Sequence, residues 1–210
     1  MSQESCEVYI VRHGETDWNA AGRLQGHTDI PLNAQGMLQA QSLKQVLSHI
    51  SFKAAFSSDL SRAKETAKCI IDPHPIPLFE SSELRERHAG SFEGKSFKEV
   101  DNLMRQFFIS RPGASSQEEY LNSVWHPEVE TWSSVFCRVK NYLLSHVHPY
   151  TGQAILVVSH GGVIRSVLDH VNFIPKNKWV ISNCGYIKLK IGQQLFALEE
   201  TVGVLSKPLF

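Results

Sequence analysis

The 210-residue chain lacks several features, and each absence removes a class of protein. No apolar run reaches the roughly 20 residues that a membrane-spanning helix needs, so no bilayer segment is expected. The opening "MSQESCE" holds neither a basic stretch nor an apolar core, which predicts no secretory leader. Charge of one sign is missing too: 21 Lys and Arg balance 21 Asp and Glu, with no block of either. A nucleic-acid binder normally shows a basic excess or stripe, so no nucleic-acid partner is expected. The four cysteines, Cys6, Cys69, Cys137 and Cys184, stand far apart and form no C-x-x-C pair. That pattern predicts free, mostly buried thiols in a reducing, cytoplasmic setting. Ten histidines are present, yet none falls in H-x-x-x-H or H-E-x-x-H spacing. His146 and His148, at i and i+2, do not share a helix face, so neither a metal site nor a cofactor is expected.

What remains is an ordinary composition, 42% hydrophobic and 20% charged, at a length that fits one domain spanning 1–210. Strand-like and helix-like stretches alternate, which predicts an α/β fold. "VYIV" (Val8 to Val11) reads as a buried strand, followed by a turn-rich loop through "AAGRLQGHTDIPLN". Asn33 is placed to cap a helix carrying Met37, Leu38, Leu43, Val46, Leu47 and Ile50. "KAAFSS" (Lys53 to Ser58) predicts a second strand, "LSRAKETAKCII" a second helix, and "IPLF" (Ile76 to Phe79) a third strand. The pattern loosens over 81–129, which reads as an insertion over one end of the sheet with a helix from Phe97 to Ile109. A long amphipathic helix follows over Glu130 to Val147, then the most apolar strand, "QAILVVSH" (Gln153 to His160). "GGVIRSVLDHV" reads as a helix, and "YIKLKIGQQLFALEE" as a terminal hairpin turning at Gly192-Gln193.

Two distant segments repeat one design. "VYIVRHG" and "ILVVSHG" are each an apolar strand that ends in a polar residue, a histidine and a glycine. In open α/β sheets ligands bind outside the carboxyl ends of the strands, so His13 and His160 should face one pocket if their strands are neighbours. Gly14 and Gly161 permit close backbone approach, and the helix starting after His160 favours an anion near its free N–H groups. "SSDLSRA" ends the "KAAFSS" strand and places Arg62 at the start of the next helix. Arg12 and Arg62 would then bring two forked guanidinium groups to the same edge, a geometry suited to phosphate oxygens. The plainer readings are a structural histidine after a strand, and an exposed Arg62 paired at i, i+3 with Glu65.

These residues resemble the histidine phosphatases, the phosphoglycerate mutase-like superfamily. The resemblance covers nearly the whole chain through "VRHGETDWN", "GRLQGHTDIPLNAQG", "SSDLSRAKETA", "ELRERHAGSFEG" and "VVSHGGVIR". It implies a three-layer α/β/α sandwich with a mixed, mostly parallel central sheet and a small helical and loop cap. It implies His13 as the nucleophile, with Arg12, Arg62 and His160 completing a phosphate pocket and Asn19 as an added phosphate ligand. Glu86, in "LRE", matches the family's proton donor. Such a site acts on a small-molecule phosphomonoester through a phosphohistidine and calls for no metal.

The family divides into hydrolases and mutases, and this chain carries marks of both. "ERH" resembles the mutase loop, whereas "AGSFEGKSF" and "GRLQGHTDIPLNAQG" resemble the phosphatases. Where the mutases carry "RRS…PPP", this chain reads "FFISRPGASS", so hydrolase is the favoured reading and mutase the alternative. A catalytically silent binding or scaffold protein is a further alternative, opposed by the intact His13 and Glu86. Arg23, Arg87, His88, Lys95, Arg105 and Arg111 are candidates for contact with a second anionic group on the substrate. Phe92, Phe97, Phe107 and Phe108 are candidates for an apolar wall. Glu93 and Gly94 read as loop-shaping residues, and Glu130 with Arg138 as a structural pair.

Overall fold

The computed structural model describes residues 5–109, 122–173, 179–192 and 196–206. In chain order the elements are β1 (Cys6–Arg12), α1 (Asp17–Ala20), α2 (Ala34–Val46), β2 (Phe52–Ser58), α3 (Ser61–Ile71), β3 (Leu78–Ser81), α4 (Phe97–Ile109), α5 (Trp132–Val147), β4 (Ala154–Ser159), α6 (Gly161–His170), β5 (Trp179–Ile191) and β6 (Phe196–Ser206). The strands form one six-stranded sheet in the order β3-β2-β4-β1-β5-β6. β3, β2, β4 and β1 run parallel, while β5 pairs antiparallel with both β1 and β6.

Strand periodicity builds the layers. On β1, Val8 and Ile10 point into a core shared with Val135, Val139 and Leu143 of α5 and with Val163, Ile164 and Val167 of α6. Tyr9 and Val11 point the other way, into a core with Leu43 of α2 and Ala63, Ala67 and Ile70 of α3. β4 divides in the same manner: Ile155 and Val157 join the first core, Leu156 and Val158 the second. Helices on both faces explain why these strands read as unbroken apolar runs. Each buried aliphatic on β1 contributes on the order of 1.5–3 kcal/mol. A one-residue slip would send every one of them to the wrong layer, so the register holds Arg12 and His13 at the sheet edge. The register pairs Arg12 with Ser159, so β1 and β4 are neighbours, the condition for His13 and His160 to face one another.

Several boundaries differ from the sequence reading. Part of the first loop is helical, because Thr16 and Asn19 form a reciprocal capping box that starts α1. β3 lies two residues later than expected, and α5 starts at Trp132 because Thr131 caps it by accepting from Ser134 N. The terminal hairpin is longer, and its register breaks between Ile181 and Tyr186, where Cys184 takes a φ of 56°. Of the thiols only Cys6 is buried; Cys69 and Cys184 are half-buried and Cys137 is exposed, so "mostly buried" was too strong an expectation. Helix α4 runs as expected, while Arg111, Gln193 and the residues from 207 lie outside the described set, as do the side chains of Arg105, Phe107 and Phe108. Among the described residues no helix is long and apolar enough to cross a membrane.

Candidate active site

The parallel strands deliver their carboxyl ends to one edge. The His13 N–H donates to Ser159 O at 3.0 Å, extending the β1–β4 ladder one residue past the strands. The His13 and His160 rings consequently meet with centroids 5.1 Å apart, and both are buried. His13 Nδ1 lies 2.6 Å from Gly14 O. A carbonyl only accepts, so Nδ1 carries the proton and the lone pair sits on Nε2. The His13 carbonyl is held in turn by Asn183 Nδ2 at 3.1 Å and by Cys184 N at 3.4 Å. The irregularity in β5 thus serves the site by turning Asn183 under the end of β1.

Gly14 continues the turn, and its N–H donates to Thr66 Oγ1 at 3.0 Å. The close approach it permits is made by α2: a Cβ on Gly14 would strike the Gly36 carbonyl. Asn19, on α1, accepts from Thr16 N and from Asn183 Nδ2 at its Oδ1, both at 3.2 Å. Its Nδ2 is the amide atom that remains to donate.

Arg62 occupies the first turn of α3 and is fully buried, which removes the exposed alternative for it. Its Nη1 and Nη2 donate to Thr28 O and Gly26 O, each at 2.9 Å. That loop is fixed by Glu93, which accepts from His27 N at 2.9 Å, Thr28 N at 2.8 Å and the Thr28 hydroxyl. Glu93 therefore shapes the loop that carries the partners of Arg62. Arg12 Nη1 donates to Ile181 O at 2.5 Å, and Gly161 packs beside its Nε.

Four buried polar atoms here have no partner among the described residues: Arg12 Nε, Arg62 Nε, and both ring nitrogens of His160. Unpaired buried polar groups are costly, and natural proteins keep them where a ligand is to be met. Burial pushes the His13 and His160 imidazoles well below their ordinary values, and the Arg62 and Arg12 guanidinium groups push in the same direction. The Gly14 carbonyl opposes that shift at His13 without reversing it. Two neutral imidazoles beside two guanidinium groups form a cluster whose field favours an anion.

Glu86 closes the edge from the other side. Its Oε2 accepts from Gly162 N at 3.0 Å and its Oε1 from Arg87 N at 2.7 Å. Gly162 is required by this contact, since a Cβ there would collide with Glu86 Oε1. The segment holding Glu86 is tied to β4 through Ser159 Oγ to Leu84 O at 2.8 Å. Arg85 ties it to the end of β2 by a two-bond pair with Asp59 at 2.7 and 2.6 Å.

Three of the basic candidates are engaged by backbone carbonyls. Arg23 is exposed and donates to Gly94 O at 2.9 Å. Arg87 donates to Glu130 O at 2.6 Å and lies 4.2 Å over the Trp132 ring. His88 Nδ1 donates to Glu128 O at 3.1 Å, with its ring 4.8 Å from that of His27. Phe92 is buried against Val100 and Val129, whereas Phe97 is exposed. Among the described residues no group of three or more His, Cys, Asp or Glu is arranged to hold a metal ion. Thr66, Asn183 and Gly162 escaped the sequence reading. Of these, only Gly162 carried a signal, as the second glycine of "SHGG".

The mixed, mostly parallel sheet flanked by helices defines an α/β protein, and the comparisons give its family. The chain belongs to the histidine phosphatase superfamily, branch 1, whose family model matches residues 8–202. It is 33% identical over 177 residues to a metal-independent phosphoserine phosphatase of Arabidopsis thaliana, covering 80% of this chain and 69% of that protein. It is 29% identical over 190 residues to 2,3-bisphosphoglycerate-dependent phosphoglycerate mutase 2 of Gloeobacter violaceus, covering 84% and 82%. The structure of YhfR from Bacillus stearothermophilus superposes with a TM-score of 0.79 at 26% identity, covering 96% of this chain and 98% of that one.

Proposed function

We propose that this enzyme hydrolyses a small phosphomonoester through a phosphohistidine at His13. The observation that carries this reading is the His13 tautomer: an Nε2 lone pair set among buried, unpartnered donors of Arg12, Arg62 and His160. In the first step Nε2 attacks phosphorus and the bond to the ester oxygen breaks, with Glu86 delivering a proton to the leaving alcohol. In the second step water attacks phosphorus, Glu86 takes its proton, the N–P bond breaks, and phosphate leaves. Arg12, Arg62, His160 and Asn19 Nδ2 hold the equatorial oxygens while charge redistributes. The donors around His13 are cationic or neutral nitrogen groups, not the carboxylates a hard cation would take, and turnover should survive chelation by EDTA. Within the expected insertion, the described residues 81–109 and 122–129 would act as the cap over the leaving group.

Para-nitrophenyl phosphate and a panel of alkyl phosphomonoesters test the proposal. Wild-type protein should turn over and release phosphate, and His13→Ala should fall by about 10³-fold or more. An inert wild type across the panel would end the hydrolase reading. The mutase reading is favoured by the "ERH" loop and the similarity to the Gloeobacter enzyme. It requires conversion of 3-phosphoglycerate to the 2-isomer with stimulation by 2,3-bisphosphoglycerate, and absence of isomerisation removes it.

A further inference from the structure

The main chain of Glu86 is gripped by groups that never touch its carboxyl. Arg138 Nη2 and His27 Nε2 both donate to the Glu86 carbonyl, each at 3.0 Å. The same guanidinium reaches back with Nη1 to Glu83 O at 2.6 Å. One rigid fork thus spans the two ends of a four-residue stretch that leads into the carboxyl group. Arg138 is oriented by Glu130 through two bonds, Nε to Oε1 at 2.8 Å and Nη2 to Oε2 at 3.0 Å. Glu130 grips the other side of Glu86, accepting from His88 N at 3.2 Å while its own carbonyl takes Arg87 Nε.

This pair is not an ordinary surface ion pair of little worth. The side chains of Arg138 and Glu130 are 16% and 14% exposed. Burial alone would raise the Glu130 carboxyl, and the bonds from Arg138, the His88 N–H and Ser134 more than offset it. A partly buried carboxylate held this way has little freedom to leave its partner.

We infer that Arg138, oriented by Glu130 and assisted by His27, is the positioning residue that fixes the Glu86 carboxyl for proton transfer, acting through the main chain of residues 83–86. The inference rests on the reading of Glu86 as the proton donor. Its chemical sense lies in what Arg138 avoids. A guanidinium set on the carboxyl itself would compete for the oxygen that must carry the proton. Gripping the carbonyl restrains position and leaves both carboxyl oxygens to Gly162, Arg87 and the substrate. A proton donor must lie within hydrogen-bond reach of its target, and a displacement near 1 Å costs about 10²-fold.

The test compares an alkyl phosphomonoester, whose leaving oxygen needs a proton, with para-nitrophenyl phosphate, whose leaving group needs little. Glu86→Gln comes first: a selective loss on the alkyl ester supports the donor reading, and equal losses refute that reading independently of Arg138. Given a selective Glu86→Gln, Arg138→Met should lower kcat for the alkyl ester by about 10²-fold and for the aryl ester by less than about 5-fold. In the double variant with Glu86→Gln the Arg138→Met loss should disappear, because the group it positions is gone. Equal losses on the two esters, or additive losses in the double variant, would overturn the inference. Should Arg138→Met fail to fold, His27 supplies the same test, with His27→Ala selective against the alkyl ester and His27→Gln, which restores an N–H donor, recovering it. A His27→Ala loss equal on both esters, or one that His27→Gln leaves unrecovered, would overturn the inference as well.

Discussion

The two sides of the site are held by different means. On the sheet side, Arg12, His13, Arg62 and His160 sit at strand ends and helix starts, and the first three bond to backbone carbonyls. On the cap side, Glu86 sits on an irregular segment that reaches its place through ion pairs and long side chains from α5 and the β2–α3 turn. The first side is as rigid as the core, since moving any of its groups means moving a strand. The second hangs on a few side-chain bonds, so a single substitution in a clamp is expected to shift it. In the proposed mechanism, phosphate recognition would therefore depend on the core, and proton delivery to the leaving group on the segment around Glu86.

Two glycines break that comparison most sharply. A Cβ on Gly162 meets the far end of a flexible Glu86 side chain. Gly162→Ala should therefore fold normally, with a melting temperature within a few degrees of wild type, and lower kcat for an alkyl ester by about 10²-fold. A Cβ on Gly14 meets the Gly36 backbone, which has no such freedom. Gly14→Ala should destabilise the protein by about 1–3 kcal/mol, measured by urea denaturation. If Gly14→Ala proved stable and Gly162→Ala proved fully active, the division between rigid and adjustable sides would not hold.

A smaller effect follows from protonation. His13 and His160 are held below their ordinary values in the fold, while the unfolded chain titrates near pH 6.5. Below that pH the unfolded state binds more protons than the native state, so stability falls as pH drops from about 7 through 6. The loss ends only below the depressed native values. Denaturation midpoints in wild type and His160→Gln check this, with a shallower acid slope expected in the variant. Arg23→Ala is the smallest change: an exposed rim bond to Gly94 is lost, and kcat/KM for para-nitrophenyl phosphate should stay within about twofold.

The same division decides what could be read from sequence. Strand ends announce themselves, because β-branched runs such as "VYIV" and "ILVV" must be buried and whatever follows must emerge at the edge. The emergence of His13 and His160 at strand ends and of Arg62 at a helix start was accessible that way, whereas the adjacency of β1 and β4 came from the sheet order. Asn183 was not, because a break in β5 register leaves no periodic trace. Thr66 looked like any helix threonine, though its hydroxyl holds Gly14 N and donates to Arg62 O. On the cap, Arg23, Arg87 and His88 were candidates by charge alone, and charge does not say which carbonyl a guanidinium will find. Glu130 and Arg138 were legible as a pair, while their hold on Glu86 required knowing that residues 83–88 run alongside that pair.

The central claim is that His13 Nε2 takes the phosphoryl group. Phosphohistidine is stable in base, so protein mixed with substrate should be quenched in alkali, digested and examined by mass spectrometry. The account predicts a phosphoryl group on the peptide carrying His13, formed within the first turnover and absent from His13→Ala. Turnover of the ester with no phosphorylated His13 peptide at any time would contradict it.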